Sequence, residues 1–493
     1  MSEAFTFAVV TLVVATAGLA IILSHRLTER LQIPVPLLTL VAAAISARLV
    51  PGARVFSEHL VTDSVTIALV CILFAGGMQI GRKRFRSAAM PITVVGIAGT
   101  FLTAAGGAVL IHWAFDLSWY LSLLVATAVA PTDPAVVFSV LGKREVAGIG
   151  GTVLEGESGV NDPVGIALMG TLLAVGGLTG TGVAKIGLDF SLQMGLGTGV
   201  GILGGIGMLV LMRRVPLPSE PLYPLRVLAV IFLLFGVATL VHGSGFLAVF
   251  VAGILIGDER APYKIEIERF HGVLASLAEI FAFIVLGLTV NLDEIVRRDV
   301  WLPGLILGAA LAFVIRPVLV GLCLLPFRLQ TNERLFVLFA GLKGAVPILL
   351  GELLREARVP GAERLYAIVV VVVIFSVLVQ GSLTVRLAGY LRLPIRTAEP
   401  EPWSLGVRLR DEPEGVHRIT VQPGSAADGR ALGELDELGE DAWISFVVRK
   451  SKLVRVTGET RLRAHDELLI LAPPASIQRL LRIFGQRGGD HRG

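Results

Sequence analysis

Between residues 7 and 387 the chain carries about thirteen apolar runs, most of them near the roughly 20 residues a helix needs to cross a ~30 Å hydrocarbon core. In lipid every backbone N–H and C=O must be satisfied within the protein, so runs of this kind become helices. They cover residues 7–23, 34–50, 65–80, 92–115, 119–141, 158–178, 192–212, 227–241, 246–257, 273–290, 302–324, 335–354 and 366–387. The run at 246–257 is the weakest, too short to cross without its flanks. With 54% hydrophobic and 17% charged residues, the chain is a polytopic membrane protein with some soluble remainder. The start, Met1-Ser2-Glu3-Ala4, lacks a basic region, so the first run is expected to be retained as a span.

The net charge of +4 does not indicate a nucleic-acid partner, because Lys and Arg lie mostly in short loops between the runs. With the N-terminus outside, loops holding Arg26 and Arg30, Arg82 to Arg86, Lys143 and Arg144, Arg213, Arg214 and Arg226, Arg260, Lys264 and Arg269, and Arg328 and Arg334 face inward. They carry about twice the positive charge of the opposite loops, which places the C-terminus in the cytoplasm. Anionic lipid is a secondary partner for the run Arg82 to Arg86. Cys71 and Cys323 fall inside apolar runs and suggest neither a disulfide nor a metal site. Without metal-ligand spacing, a nucleophile with its base or a phosphate loop, neither an enzyme nor a cofactor is expected.

Two runs are interrupted. Ala130-Pro131-Thr132-Asp133-Pro134 breaks the fifth, and Gly341-Leu342-Lys343-Gly344-Ala345-Val346-Pro347 breaks the twelfth. Proline removes a donor and frees a carbonyl one turn earlier. Broken segments at corresponding places in two halves point to a transporter with inverted repeats. Asp133 and Lys343 carry charges suited to the exposed positive and negative half-helix ends. Asp133 either touches an ion or only compensates a dipole.

At the entry of the sixth run stands Glu157-Ser158-Gly159-Val160-Asn161-Asp162-Pro163. Helical spacing puts Ser158 and Asp162 on one face with Asn161 beside them. Pro163 leaves the Gly159 carbonyl free there, which outlines a cation site. An ionisable residue inside a membrane is a functional hypothesis by default. Glu279 and His271, near the start of the tenth run, read as solvated interfacial groups, and Gln79 as core packing or a water contact. Small residues in the stretch 194–201 suggest close helix packing within one chain ahead of a dimer contact.

Composition divides the chain into a membrane domain at 1–393, a linker at 394–404, a small α+β domain at 405–484 and a flexible tail at 485–493. In the small domain strands are expected at 418–421, 442–448 and 467–471, with helical stretches near 430–436 and 475–484.

Together the motifs Ala130-Pro131-Thr132-Asp133-Pro134, Glu157-Ser158 with Asn161-Asp162-Pro163, His242-Gly243-Ser244-Gly245-Phe246-Leu247-Ala248 and Gly341-Leu342-Lys343-Gly344-Ala345-Val346-Pro347 resemble the monovalent cation:proton antiporter-1 family. The chain looks like its NhaP-type potassium/proton branch, and the tail resembles a TrkA C-terminal (RCK-C) regulatory domain. The resemblance implies an all-α membrane domain of about 13 helices with inverted repeats, a homodimer in the cell inner membrane, and a small regulatory ligand on the tail. It implies that Asp162 carries the ion, with Asn161 and Ser158 in support and an oxygen from Thr132, so that a monovalent cation sits at Asp162, Ser158 and Thr132. Glu157 is then a structural acid, with Arg316 its first candidate partner. Two positions depart from the pattern: Lys343 stands where relatives often have Arg, and Gln79 where several have Glu.

A carboxylate holds either a proton or a dehydrated cation, so competition at Asp162 is enough for exchange. Asn161 beside it does not ionise, which predicts one proton per cation and no net charge moved. Potassium is the expected cation and sodium the alternative. A cation channel gated by the tail is the reading from a different class, and it calls for a pore lined by carbonyl or acidic rings.

Overall fold

The computed structural model describes residues 35–49, 57–134, 136–137, 144–146, 148–177, 180–259, 261–391, 393, 395–397, 415–435, 438–439, 441–449 and 452–485. The chain forms two compact units, residues 1–399 and 400–493. The apolar run at 7–23, most of the linker at 394–404, the stretch 405–414 and the end from 486 lie outside the described residues, as do Arg26, Arg30 and Lys143.

The first unit is helical. Among the described residues its helices of nine or more residues are, in chain order, α1 (Val35–Leu49), α2 (Glu58–Ser87), α3 (Ala89–Phe115), α4 (Trp119–Ala128), α5 (Ile149–Val175), α6 (Gly180–Arg214), α7 (Leu222–Leu240), α8 (Gly245–Gly257), α9 (Lys264–Thr289), α10 (Arg298–Leu324), α11 (Thr331–Phe339), α12 (Ala345–Glu356) and α13 (Ala362–Tyr390). Among the described residues, eight of these are long and apolar enough to cross a membrane, while α1, α4 and α8 are shorter apolar helices. Each apolar run from the second onward meets a helix. A small antiparallel pair joins β1 (Arg144–Val146) to β2 (Ile395–Thr397).

The helices pack as two bundles. In one, α8 lies along α2, α6 and α7, while α9 packs on α2 and α7, with α1 against α9 on the outside. The short length of α8 is offset by burial, since nearly every residue from Gly245 to Gly253 is covered by protein. Backbones approach closely where side chains are missing. A Cβ on Gly253 would press on the Phe74 carbonyl, and one on Gly201 would meet the Ala248 carbonyl at 2.6 Å. Gly197 packs in the same way on the Ser244 backbone. The small-residue stripe of α6 therefore makes contacts within one chain. The other bundle holds α3, α4, α5 and α10 to α13, and three of its helices carry a π turn: Val95–Gly99 in α3, Leu311–Ile315 in α10 and Ser376–Gln380 in α13.

Two helix starts differ from the sequence reading. α5 begins at Ile149 and not at Ser158, and α9 at Lys264 and not near Val273. Hydropathy delayed both, because their first turns hold charged groups that pair within the protein. Glu155 of α5 accepts from Arg84 at 3.0 Å, and Lys264 of α9 pairs with Glu268 at 3.1 Å.

In the second unit, β3 (Val416–Thr420), β4 (Trp443–Arg449), β5 (Lys452–Val454) and β6 (Glu467–Leu471) form one antiparallel sheet in the order β3-β6-β4-β5. Helix α14 (Ile477–Phe484) buries Leu480, Ile483 and Phe484 against Ile419, Val447 and Leu468. The helix expected near 430–436 is a single 3-10 turn, Leu432–Glu434, because Leu432 and Gly433 donate to the backbone of the 458–460 turn instead of continuing a helix. Strand β5 was not expected from the sequence; it is short and closes a hairpin with β4.

Asp466 ties this unit together. Its carboxylate accepts from Arg449 at 2.8 and 2.7 Å and from the Arg463 N–H at 2.8 Å. Burial pushes the carboxyl up, but the bonds from Arg449 and Arg463 outweigh it and hold it below its ordinary value. A group lowered in this way stabilises the fold above its ordinary value, near 3.9, and that contribution is lost as pH falls through the folded-state value. In the intact protein, Asp466→Asn is expected to lower amide protection of β4 and β6 at pH 7 by on the order of 1–3 kcal/mol. Hydrogen exchange with mass spectrometry reads this, and the gap between variant and wild type is expected to close in acid.

Candidate functional site: a pair of crossed helix breaks

The two interrupted segments meet. After α4 the backbone leaves helical geometry through Pro131, Thr132 and Asp133, and between α11 and α12 it does so from Ala340 to Gly344. The Asp133 N–H donates to the Leu342 carbonyl at 2.8 Å, so the breaks are joined main chain to main chain. The Lys343 ammonium donates to the carbonyls of Ala130 at 2.9 Å and Pro131 at 3.1 Å. A cation thus sits at the negative end of α4, and Asp133 lies against Gly344 at the positive start of α12. Each break supplies the charge that the other's helix end calls for. A Cβ on Gly344 would fall on the Asp133 carboxylate, so only glycine allows this approach.

Alongside the crossing, α5 carries the acidic motif in mid-helix. All residues from Gly150 to Gly165 on α5 are buried, so Glu157, Asn161 and Asp162 are interior groups and not groups at a helix entry. Asn161 Nδ2 donates to Thr132 Oγ1 at 2.8 Å, and its Oδ1 accepts the Thr132 N–H at 3.4 Å. Ser158 Oγ stands 3.1 Å from Thr132 Oγ1 and donates to the Leu154 carbonyl at 3.3 Å. Asn161 and Ser158 therefore hold the broken segment against α5.

Glu157 points the other way. Arg316 grips it with two bonds of 2.7 and 2.9 Å, and the same guanidinium donates to the carbonyls of Leu338 and Val337 at 3.2 Å each. Arg316 follows the π turn of α10 directly and lies so close to Gly341 that a side chain there would clash with it. The pair is buried on both sides and cancels its own charge.

Asp162 is different. Only 8% of it is exposed, and its buried Oδ1 has no hydrogen-bond partner among the described residues. The charged groups that act on it are Asp133 and Lys343. Asp162, Ser158 and Asp133 line a cleft of about 660 Å³ that separates the two bundles. At its mouth are Asp258 and Glu268, on the side of the membrane domain that carries Arg82 and Lys83. One carboxylate with hydroxyl oxygens nearby suits a monovalent cation or a proton. Among the described residues no three His, Cys, Asp or Glu side chains gather as a multivalent metal site.

Sequence reasoning missed Ser376 and Gln380. Ser376 Oγ accepts the Lys343 N–H at 3.1 Å and donates to Gln380 Oε1 at 2.8 Å, and Gln380 Nε2 reaches the Phe339 carbonyl at 2.9 Å. They satisfy the second break from the π turn of α13, and two polar residues at i and i+4 in an apolar run were the available signal. His271 and Glu279 are not the solvated interfacial groups expected from the sequence. His271 is fully buried between Phe74 and Phe270, and Glu279 faces the cleft, because α9 starts earlier than its hydropathy suggests. Gln79 also lines the cleft.

A family model described as "Sodium/hydrogen exchanger, transmembrane" matches residues 11–388, and a TrkA-C domain model matches residues 416–485. Over 476 residues the chain is 32% identical to the K(+)/H(+) antiporter NhaP2 of Shewanella oneidensis, an alignment covering 94% of this chain and 81% of that protein. It is 33% identical to the K(+)/H(+) antiporter NhaP of Alkalimonas amylolytica, covering 78% and 67%, and 28% identical to the Na(+)/H(+) antiporter NhaH of Halobacillus aidingensis, covering 59% and 73%. Among solved structures, the sodium proton antiporter MjNhaP1 from Methanocaldococcus jannaschii at pH 8 shares the fold with a TM-score of 0.64. That match has 22% identity and covers 78% of this chain and 98% of the other.

Removing one member of a buried ion pair leaves the other charge uncompensated, whereas replacing both with apolar groups is often neutral. Arg316→Met is therefore expected to cost about 3–5 kcal/mol, and the double variant Glu157→Leu with Arg316→Met to recover most of it. Thermal unfolding of the purified protein in detergent checks both.

Proposed function

The chain belongs to the sodium/hydrogen exchanger family, and from that premise we propose that it exchanges potassium for protons across the cytoplasmic membrane. The observation that carries this reading is Asp162, a buried carboxylate with an oxygen that has no hydrogen-bond partner among the described residues, on a cleft reached from one side of the membrane domain. In a low-dielectric interior a lone charge needs a partner. Arg316 cancels Glu157, while Asp162 is acted on by one acid, Asp133, and one base, Lys343, so its carboxylate is to be neutralised by a proton or by one cation, with Ser158 and Thr132 as further oxygens. Binding one expels the other, so each cycle carries one proton against one cation and moves no net charge. Potassium is preferred over sodium because the relatives at 32% and 33% identity are named for potassium, while the sodium-named relative is 28% identical over 59% of the chain and the sodium-named structure 22% identical.

For exchange, the site must face each side in turn. In this conformation the bundles touch along α5, where Phe250 packs on Gly159 and Arg84 pairs with Glu155, and again at the end opposite the cleft mouth. Glu356 of α12 accepts from Thr62 of α2 at 2.8 Å and pairs with His59 at 2.7 Å, while Tyr366 of α13 meets Thr289 of α9 at 2.7 Å. Thr62 and Ile80 lie about 27 Å apart along the straight part of α2, close to the thickness of a hydrocarbon core, and Arg82 follows the break at Gly81. With the basic cluster at Arg82 taken as cytoplasmic, the cleft opens inward, these contacts seal the outer face, and the TrkA-C domain is a cytoplasmic regulator with its own small ligand. A homodimer fits the same reading.

In proteoliposomes with an internal pH dye, a potassium gradient is expected to drive proton movement by wild type, sodium to do so less well, and Asp162→Asn to fall to the liposome background. Cation passage without proton movement would favour the channel reading. Exchange that persisted in Asp162→Asn would remove Asp162 from its role.

A further inference from the structure

The cleft that leads to Asp162 has a second carboxylate on its facing wall. Glu279 stands near the middle of α9, in the bundle that does not hold the helix breaks, and lines the cleft together with Asp133, Ser158 and Asp162. Its Oε1 is buried and, like Asp162 Oδ1, has no hydrogen-bond partner among the described residues. On the same wall its neighbours are Gly272, Ala275 and Ser276, and around Gly272 there is open space. Small residues there leave the carboxylate uncovered.

The acids at the mouth are in another situation. Asp258 accepts the Lys83 N–H at 2.5 Å, and Glu268 pairs with Lys264 at 3.1 Å. They are engaged in holding helix ends, whereas the deeper oxygens of Glu279 and Asp162 are not. A structural acid in this position would show a base beside it, as Glu157 shows Arg316. The charged group that acts on Glu279 is Asp133, another acid. Two like charges facing each other across a cleft attract cations into it.

We infer that Glu279 is a second cation-holding carboxylate of the transport path, taking up a monovalent cation from the cleft mouth before it reaches Asp162. The inference rests on the antiport reading and adds a step to it. Glu279 sets how readily the site fills, and Asp162 sets whether exchange occurs. The two roles separate in the kinetics, because a group that only gathers cations changes the half-saturating concentration and not the rate at saturation. Since Glu279 belongs to one bundle and Asp162 to the other, the movement that turns the site outward also parts the two carboxylates.

The test is potassium/proton exchange by the full chain in proteoliposomes over a range of potassium concentrations, for wild type, Glu279→Gln, Glu279→Asp and Ser276→Lys. Glu279→Gln is expected to raise half-saturation roughly tenfold, the equivalent of ~1.4 kcal/mol, with the maximal rate kept within about twofold. Glu279→Asp, which keeps the carboxylate, is expected to stay near wild type. Ser276→Lys places a cation one turn away and is expected to raise half-saturation with Glu279 intact, so it carries the test if the amide variant fails to fold. Wild-type half-saturation in Glu279→Gln, or an equal defect in the Gln and Asp variants, would overturn the assignment while leaving antiport in place. Wild-type liposomes that exchange nothing would overturn antiport and this step together.

Discussion

The Lys343 ammonium against the carbonyls of Ala130 and Pro131 is the contact on which the membrane domain's centre depends. A helix broken inside a bilayer exposes carbonyls and N–H groups that lipid cannot satisfy, and two breaks double that cost. Crossing them lets each satisfy the other, with Lys343 on one end and Asp133 on the other. The arrangement then sets the rest. Gly341 and Gly344 give the backbones room, Ser376 and Gln380 take up remaining polar groups, and Asn161 and Ser158 pin Thr132 against α5. Among the described residues, Asp162 is then the member of the α5 motif left with an open oxygen.

The crossing also explains why the two bundles are built differently. The one with α2, α6 and α8 is held by glycines that bring backbones into contact, so its packing leaves little room to shift. The one with the breaks is held by hydrogen bonds and ion pairs at its centre. Between them the contacts at the sealed end include polar ones through Thr62, His59, Tyr366 and the pair of Glu58 with Arg355. Contacts of that kind are exchanged for water at small cost, which suits a boundary that opens.

The helical architecture and the two breaks were legible because their signals are local: apolar length for the first, proline and glycine inside apolar runs for the second. The motif at 157–162 was legible for a related reason, since a carboxylate costs too much in apolar surroundings to stand there without a role. The start of α5 was not, because Glu155 and Glu157 look like the edge of a membrane until their partners are known, and Arg84 and Arg316 lie far away in sequence. Glu279 was misplaced on the same ground, as the cleft it faces is formed by helices from both bundles. In the small domain the three longer strands carried enough hydrophobic alternation to be seen, while β5 is three residues long and exists through its hairpin with β4.

The π turns bear on how chains of this kind are aligned. Each of the three places a residue or a surface at the site: Gly96 of α3 under Val160, Arg316 immediately after the turn in α10, and Ser376 with Gln380 in α13. A π turn accommodates one residue more than α geometry would, so losing a residue there restores the regular ladder while the downstream half of the helix keeps its facing. Arg316 would still face Glu157. A single-residue gap at these three places between two relatives is therefore absorbed within one turn, whereas the same gap in a regular stretch of the helix would rotate everything downstream by about 100°.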